Sequence, residues 1–196
     1  MAEVLENIAI YHSRSLIEKS QKGDEQAYGK LVGLWYKRIY NFSIKYFGDH
    51  DLAMEVTQQT FIVVFQKINT LRDIDQFRFW LYKIALNHCR EEDRRQKRKK
   101  WYSIFVHDES SMPESRIGNP ELEYQKKEKV EMIAELLKQL PDEQKTVMIM
   151  KEFEGLKFRE IADVLNISEN TAKSRLYYGL KALKNLLEKS ELNYKI

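Results

Sequence analysis

Glycine and proline are scarce in this chain, with 7 and 3 residues among 196. Folds made of many short strands need frequent turns, and these two residues supply a large share of turn positions. Their scarcity argues against an all-β fold and favours helices. The apolar fraction of 43% and the aromatic fraction of 12% are high enough for packed cores, which excludes a wholly disordered chain.

Groups that bind metals or perform catalysis are also few. The single cysteine, Cys89, forms no internal disulfide, and the 4 histidines are scattered without a second ligand at zinc-site spacing. A glycine-rich phosphate loop is missing as well. The sequence therefore predicts no metal, no cofactor and no enzymatic activity, and it fits a reducing, cytoplasmic setting.

Long apolar runs are absent from the sequence. None approaches the length of about 18 residues that a membrane helix requires. The first residues, MAEVLENIAIYHSRSL, lack the basic start and apolar stretch of a signal peptide. We therefore expect no membrane insertion.

Charge is distributed unevenly along the chain. Residues 1–100 carry a net charge of +5 and residues 126–196 a net charge of +2, whereas residues 101–125 carry −4. Two basic blocks around an acidic segment are typical of two polyanion-binding domains on a tether, although many solvated surfaces share this pattern. The acids Asp108, Glu109 and Glu114 also raise the alternative of weak self-masking, in which the tether or one domain screens the other.

The spacing of apolar residues indicates the domain organisation. They recur every three or four positions on both sides of residues 103–120, a segment that contains two of the 3 prolines. This pattern predicts an all-α fold with two helical domains, at 1–102 and 121–196, joined by a flexible linker over 103–120.

Capping residues mark the expected helix boundaries in the N-terminal domain. A short helix over 11–22 should end at Gly23, and Asp24 should cap a long second helix that Gly48 terminates. Asp51 should cap a third helix.

A fourth helix should run from about Asp75 into a basic tract, since six of the seven residues 94–100 are Lys or Arg. Aromatic residues and cations interleave at its start, in FRFWLYK. Cations attract phosphates and aromatic faces stack on unpaired bases, so this combination is typical of proteins that hold opened DNA. The alternative is that Phe77 and Trp80 are core residues and that the basic run is a solvated helix end.

The sharpest local pattern is LKFREIADVLNISENTAKSRLYYGLKALKNLL, residues 156–187. It predicts a helix-turn-helix, with Asn166 in a left-handed turn position and Ser168 as the cap of the second helix. The outer face of that helix lacks carboxylates, as a helix entering the major groove requires. It carries Asn170, Thr171, Lys173, Ser174, Arg175, Tyr177, Tyr178 and Lys181. The alternative is an ordinary amphipathic hairpin with a solvated face.

Taken together, these segments resemble the extracytoplasmic-function group of bacterial RNA polymerase sigma factors, from about Lys22 to Leu187. The matching elements follow the family order: DEQAYGKLVGLWYKRIYNFSIKYFGD, AMEVTQQTFIVVFQKI, FRFWLYKIALNHC with its basic tail, a linker, and LPDEQKTVMIMKEFEGLKFREIADVLNISENTAKSRL. The resemblance implies a transcription initiation factor that binds core RNA polymerase, recognises the −35 and −10 promoter elements and assists promoter melting. It also implies an anti-sigma factor as a further partner.

The resemblance implies three groups of functional residues. The helix-turn-helix would read the −35 element through Ser168, Asn170, Thr171, Lys173, Ser174, Arg175 and Tyr178. The fourth helix and the loop before it would bind and melt the −10 element through Arg72, Asp75, Phe77, Arg78, Phe79, Trp80, Lys83, Asn87, Arg90 and Arg94. The third helix would dock on core polymerase through Glu55, Gln58, Gln59, Phe61 and Val64.

The chain departs from the family pattern at two docking positions. Glu55 stands where the family usually has Asp, which keeps the charge, and Gln59 stands where it commonly has Glu, which loses it.

Two other functions stay open on the sequence alone. A helix-turn-helix regulator that binds duplex DNA without polymerase would explain residues 156–187 equally well, but it leaves the aromatic and basic fourth helix without a purpose. An adaptor that binds acidic proteins through both basic faces is the third hypothesis.

Overall fold

The computed structural model describes the backbone of residues 13–105 and 133–193, and these residues form helices and turns without a strand. This confirms the predicted all-α fold. The helices are α1 over 13–21, α2 over Glu25–Phe47, α3 over His50–Lys67, α4 over Phe77–Phe105, α5 over 133–138, α6 over Asp142–Met148, α7 over Phe158–Leu165 and α8 over Glu169–Asn193. A π-helical turn, Ile149–Phe153, continues α6. Most of the predicted linker, 106–120, lies outside the described residues.

Local capping chemistry sets the ends of α2, as the sequence predicts. The Asp24 carboxylate accepts a hydrogen bond from the Ala27 N–H at 2.9 Å, and Gly48 ends the helix in the left-handed conformation with φ 63°. The prediction for α3 was wrong. Its cap is Asp49, whose carboxylate accepts from the Leu52 N–H at 2.9 Å. Asp51 lies instead in the first turn, where its charge favours the helix dipole.

The fourth helix differs from the prediction at both ends. A 3₁₀ turn, Ile74–Gln76, precedes it, so α4 begins at Phe77 rather than near Asp75. It continues to Phe105, past the predicted start of the linker at residue 103. Lys, Arg and Glu are good helix formers, which explains why the basic tract stays helical.

Large aromatic side chains are prominent in the core between α2, α3 and α4. Trp35 is 1% exposed, donates its indole N–H to the Ser13 hydroxyl at 2.8 Å and meets the Phe77 ring edge to face at 5.8 Å. The other buried aromatic residues of this core are Phe42, Tyr46, Phe47, Phe61 and Tyr82. This core fixes the orientation of α4 relative to α2.

The C-terminal helices pack through aliphatic and methionine side chains, among them Leu137, Leu140, Val147, Met148, Ile149, Met150, Leu156, Ile161, Val164, Ala172 and Leu176. Gly179 lets α8 approach α6 closely, because a Cβ there would lie 3.1 Å from the Met148 side chain. Asn166 adopts φ 53° between α7 and α8, which confirms the predicted left-handed turn position.

The N-terminal and C-terminal helices also contact each other. Helix α7 lies against α4, and the π-helical turn lies against α2. The described helices include none long and apolar enough to span a membrane.

Candidate nucleic-acid interface

Helix α8 presents a polar face to solvent. Ser168 caps it, as predicted, since its hydroxyl accepts a hydrogen bond from the Thr171 N–H at 3.0 Å. Ala172 and Leu176 are buried on the opposite side of the helix, so most of the residues predicted to contact the −35 element face solvent. Five of these are exposed: Ser168, Asn170, Lys173, Ser174 and Tyr178.

The two other residues of this face, Thr171 and Arg175, are half-buried. The Arg175 guanidinium lies 2.9 Å from the Glu143 carboxylate of α6, and its side chain is 23% exposed. Lys173 is exposed, with its ammonium 5.8 Å from the centre of the Phe158 ring. The accessible cation at the start of α8 is therefore Lys173, while Arg175 is held by a neighbouring helix.

The residues predicted for the −10 element fall into three classes of exposure along α4 and the loop before it. Those open to solvent are Arg72, Asp75, Lys83, Asn87 and Arg94. Phe79, Trp80 and Arg90 are half-buried. Phe77 and Arg78 are buried, at 2% and 8% exposure.

Burial corrects the expected role of Phe77. Its ring packs between Trp35 and Trp80 and offers no free face to an unpaired base. The sequence alternative, in which Phe77 is a core residue, describes it correctly. Phe79 and Trp80 remain as the partly accessible aromatic residues at the start of α4.

Two arginines of this surface are bound by the C-terminal domain. Arg78 donates from Nη2 to the Glu154 carbonyl at 2.7 Å, and Arg90 donates from Nε to the Asp142 carboxylate at 3.0 Å. Neither contact was predicted from the sequence. No local pattern could have found them, because they join residues 76 and 52 positions apart.

Burial shifts the protonation equilibria of the groups beneath this contact. Tyr82 donates to the Glu154 carboxylate at 2.7 Å, and burial raises the pKa of Tyr82 well above its ordinary value. Tyr46 donates to Asp142 at 2.5 Å, and burial likewise raises the pKa of Tyr46. Burial lowers the pKa of Lys145, whose ammonium lies 3.6 Å from the centre of the Tyr46 ring.

Helix α3 exposes the three polar residues predicted to dock on polymerase, Glu55, Gln58 and Gln59. Phe61 and Val64 are buried at 6% and 0%, which corrects the expectation that they flank this exposed face. The exposed apolar side chains beside it are Met54, Ile62 and Phe65, at 45%, 49% and 52%. Glu55 also pairs with Arg95 of α4 at 3.1 Å.

The described residues contain no cluster of His, Cys, Asp and Glu that could hold a metal ion. Cys89 is buried, and burial raises the pKa of its thiol to about 12. His88 is half-buried, and burial lowers its pKa.

Comparisons with known proteins match both helical domains of the chain to models of one protein family. Residues 31–99 match the family model for sigma-70 region 2, and residues 130–183 match the model for sigma-70 region 4. Together these matches span well over half of the sequence, and they contain most of α4 and most of α8. The chain belongs to the extracytoplasmic-function group of sigma-70 factors.

Relatives of this sigma factor match it over nearly their full length. It is similar to the RNA polymerase sigma-H factor of Pseudomonas aeruginosa, with 26% identity over 89% of this chain and 93% of that protein. It is also similar to the extracytoplasmic-function sigma factor SigW of Bacillus subtilis, with 28% identity over 87% of this chain and 94% of that protein.

Solved structures share the fold across both domains. The structure of CnrH in complex with the cytosolic domain of CnrY has a TM-score of 0.70 and 20% identity, over 91% of this chain and 98% of that one. The sigma factor RpoE in complex with the anti-sigma factor NepR, from Bartonella quintana, has a TM-score of 0.63 and 21% identity, over 82% and 96%.

Proposed function

We propose that this sigma factor binds core RNA polymerase, reads the −35 promoter element with α8, and binds and melts the −10 element with α4 and the loop before it. The observation that carries the proposal is the presence of three separate surfaces on one chain. These are the polar face of α8, the aromatic and basic face of α4, and the exposed face of α3. A sigma factor needs all three, whereas a simple duplex-binding regulator needs only the first.

The −35 surface is supported by the geometry of α8. Asn170, Lys173 and Ser174 lie within its first turns, and all are exposed. The N-terminal part of a recognition helix is the part that reaches base edges in the major groove. Amide, hydroxyl and ammonium groups match the donors and acceptors that base pairs present there.

The −10 surface is supported by accessible cations beside partly accessible rings. Phe79 and Trp80 are half-buried, and Lys83, one helical turn further along α4, is exposed. Arg72 and Arg94, which precede and follow these rings along the chain, are exposed as well. Aromatic faces stack on unpaired bases, and cations hold the backbone of the separated strand. Asn87 is exposed on the same helix and supplies an amide for a base edge.

The docking surface on α3 combines three polar groups with two apolar side chains. Glu55, Gln58 and Gln59 form its polar part. Ile62 and Phe65 supply the exposed apolar part in place of Phe61 and Val64, which support the helix from inside. Exposed apolar side chains beside polar groups are typical of protein interfaces rather than of free surface.

We further propose that an anti-sigma factor is a partner, since the similar RpoE structure is a complex with the anti-sigma factor NepR. A factor that acts with RNA polymerase works in the cytoplasm. It acts by binding rather than by catalysis, so the chain is not an enzyme and uses no cofactor.

Run-off transcription with purified core polymerase tests the proposed function. The full chain, added to core polymerase and a library of promoter fragments from its own genome, should give discrete transcripts that neither component yields alone. Duplex binding without any polymerase-dependent transcript would reject the sigma-factor function and favour the helix-turn-helix regulator.

A further inference from the structure

The exposed side of α4 continues past the residues assigned to the proposed −10 surface. Successive residues of an α-helix are about 100° apart around its axis, so residues three or four positions apart share one side. Lys83, Asn87, Arg94, Arg98 and Trp101 follow this spacing, and all are exposed. With a rise of about 1.5 Å per residue, this row is about 27 Å long. Its last two members have no role in the surfaces described so far.

Uncompensated charge distinguishes the two arginines of this row from the cations beside them. Within the part of the chain that the structure describes, neither Arg94 nor Arg98 forms an ion pair. Arg95 and Lys97, by contrast, contact carboxylates at 2.6 Å and 2.7 Å. Arg94, Arg98 and Trp101 lie within about 60° of one another around the helix axis. The uncompensated positive charge therefore lies on the side of α4 that presents the Trp101 ring.

Trp101 differs in exposure from the other two tryptophans of the chain. It is 58% exposed, whereas Trp35 is 1% exposed and Trp80 is half-buried. Tryptophan is highly buried on average because its ring is large and mostly apolar. An accessible indole ring beside uncompensated cations is therefore typical of a binding surface rather than of a solvated helix end.

This combination of groups fits an unpaired strand better than a duplex. Guanidinium groups attract the phosphates of either form. An indole ring stacks on a base only where the face of the base is uncovered, and the stacked pairs of a duplex cover these faces. Arginines alone would serve a duplex, whereas the ring adds binding energy only with a single strand.

Glu91 interrupts the row one turn before Arg94. It is exposed on the same side of the helix, and its carboxylate repels phosphates. The repulsion divides the row into a proximal part near Lys83 and a distal part that comprises Arg94, Arg98 and Trp101. The distal part is therefore a separate group of residues with its own charge and its own aromatic ring.

We propose that Arg94, Arg98 and Trp101 form a second subsite for single-stranded DNA on α4. The Trp101 ring stacks on one base, and the two guanidinium groups hold neighbouring phosphates. This inference rests on the proposed function, because it extends the −10 surface by two helical turns. A strand with stacked bases has a phosphate about every 3.4 Å, so about eight nucleotides reach from Lys83 to Trp101.

Tryptophan fluorescence tests the stacking directly, because a base stacked on an indole ring quenches its emission. The full chain is titrated, without polymerase, with a thymidine strand of about twelve nucleotides, which is long enough to span the row. Trp101→Phe keeps an aromatic face and removes this indole, so the difference between the two titrations isolates the signal of Trp101 from those of Trp35 and Trp80. We expect saturable quenching of the Trp101 signal, and an unquenched signal would overturn the proposal.

The affinity for a labelled copy of the same strand separates stacking from other effects of the ring. Trp101→Leu keeps an apolar side chain but offers no stacking face, so it should bind on the order of tenfold more weakly than the unaltered chain. Trp101→Phe should retain most of the affinity, and neither change should alter the affinity for a hairpin duplex. Equal single-strand affinities for the two variants, or an equal loss on the duplex, would contradict stacking.

Arg98→Ala tests the charge of the subsite, with Lys97→Ala as its matched control. Both positions are exposed and both changes remove one positive charge, but Lys97 is already paired with Asp93 at 2.7 Å. Arg98→Ala should weaken single-strand binding more than its control does. It should also lower the slope of log affinity against log salt concentration by about one. Equal effects of the two changes would reduce the subsite to unspecific attraction by the basic tract and would overturn it.

The outcomes separate this inference from the proposed function. Quenching and single-strand affinity are measured without polymerase, whereas the proposed function is measured by run-off transcription of the unaltered chain. A chain that supports transcription while its Trp101 signal stays unquenched would reject the second subsite alone. A chain whose Trp101 is quenched by the strand but which never supports transcription would reject the sigma-factor function and leave the single-strand subsite in place.

Discussion

The two proposed DNA-binding surfaces are presented in opposite ways. On α8 the leading residues Asn170, Lys173 and Ser174 are exposed to solvent. On α4, Phe77 and Arg78 are 2% and 8% exposed, and the C-terminal domain holds Arg78 and Arg90. The leading residues of α8 are thus all accessible, whereas on the α4 side Arg72, Lys83, Asn87 and Arg94 are exposed but Phe77 and Arg78 are not.

The cores beneath these surfaces differ as well. Large aromatic rings anchor α4, with Trp35 and Phe77 in edge-to-face contact. Helix α8 packs through smaller groups, Ala172 and Leu176, and through the close approach at Gly179. Aromatic side chains bury more area each, so a single ring such as Phe77 contributes more to the packing of α4 than Ala172 or Leu176 contributes to that of α8.

The largest expected effect comes from removing the anchor of α4. Trp35→Ala should lower the free energy of unfolding by about 3–5 kcal/mol, because it leaves a cavity under Phe77 and removes the hydrogen bond to Ser13. Urea denaturation measures this loss. The neighbouring residue Leu34 is 37% exposed, so Leu34→Ala should cost well under half as much. Similar losses for both variants would contradict the dependence of α4 on this ring.

A smaller effect is expected on the α8 side of the comparison. Lys173→Ala should weaken binding of the holoenzyme to duplex promoter DNA by about 1–3 kcal/mol if its ammonium contacts a base edge. Competition with an upstream promoter fragment measures this loss. Lys184→Ala serves as the control, since Lys184 lies further along the same helix and pairs with Glu188 at 3.7 Å. Equal losses for both lysines would mean that α8 contributes only unspecific charge.

A third effect concerns the docking surface. Glu55→Lys should weaken the affinity for core polymerase on the order of tenfold, since a charge at an interface rim mainly affects steering and repulsion. Because Glu55 also pairs with Arg95 at 3.1 Å, Arg95→Ala separates loss of this internal pair from loss of docking. Titration of labelled protein with core polymerase gives both affinities. Unchanged affinity for Glu55→Lys would remove this segment of α3 from the interface.

The smallest effect is expected at the turn between α7 and α8. Asn166 has φ 53°, so Asn166→Ala should cost about 1 kcal/mol of folding free energy, whereas Asn166→Gly should cost little or stabilise slightly. Thermal melting of both variants measures the difference. Equal melting temperatures would show that the turn relaxes and that its left-handed geometry does not position α8.

Local chemistry made much of the fold predictable from the sequence. Asp24, Gly48, Asn166 and Ser168 act within four residues of their own positions, so their roles as caps or turn residues could be inferred without knowledge of the fold. The cap at Asp49 was missed because Asp51 offers the same chemistry two residues later. Only the backbone geometry after Gly48 decides between these two acids.

The remaining differences depend on packing between distant parts of the chain. Helix α3 is apolar on two sides, so its spacing alone does not tell the buried Phe61 and Val64 from the exposed Ile62 and Phe65. The bonds from Arg78 and Arg90 to the C-terminal domain have no signal in the sequence, where both residues read as free cations. The functional family was predictable because several moderately specific segments occur in one order.

The most direct test of the division between the two surfaces is permanganate reactivity of unpaired thymines near the transcription start site. The assay uses the holoenzyme, and a footprint of the closed complex is measured in parallel. Arg72, Asn87 and Arg94 are exposed on the α4 side of the comparison. Replacing each with Ala should leave the upstream footprint intact and reduce thymine reactivity, whereas Lys173→Ala should weaken the upstream footprint. If the three α4-side variants open DNA normally, the melting role of α4 is wrong and a duplex-binding regulator explains the chain better.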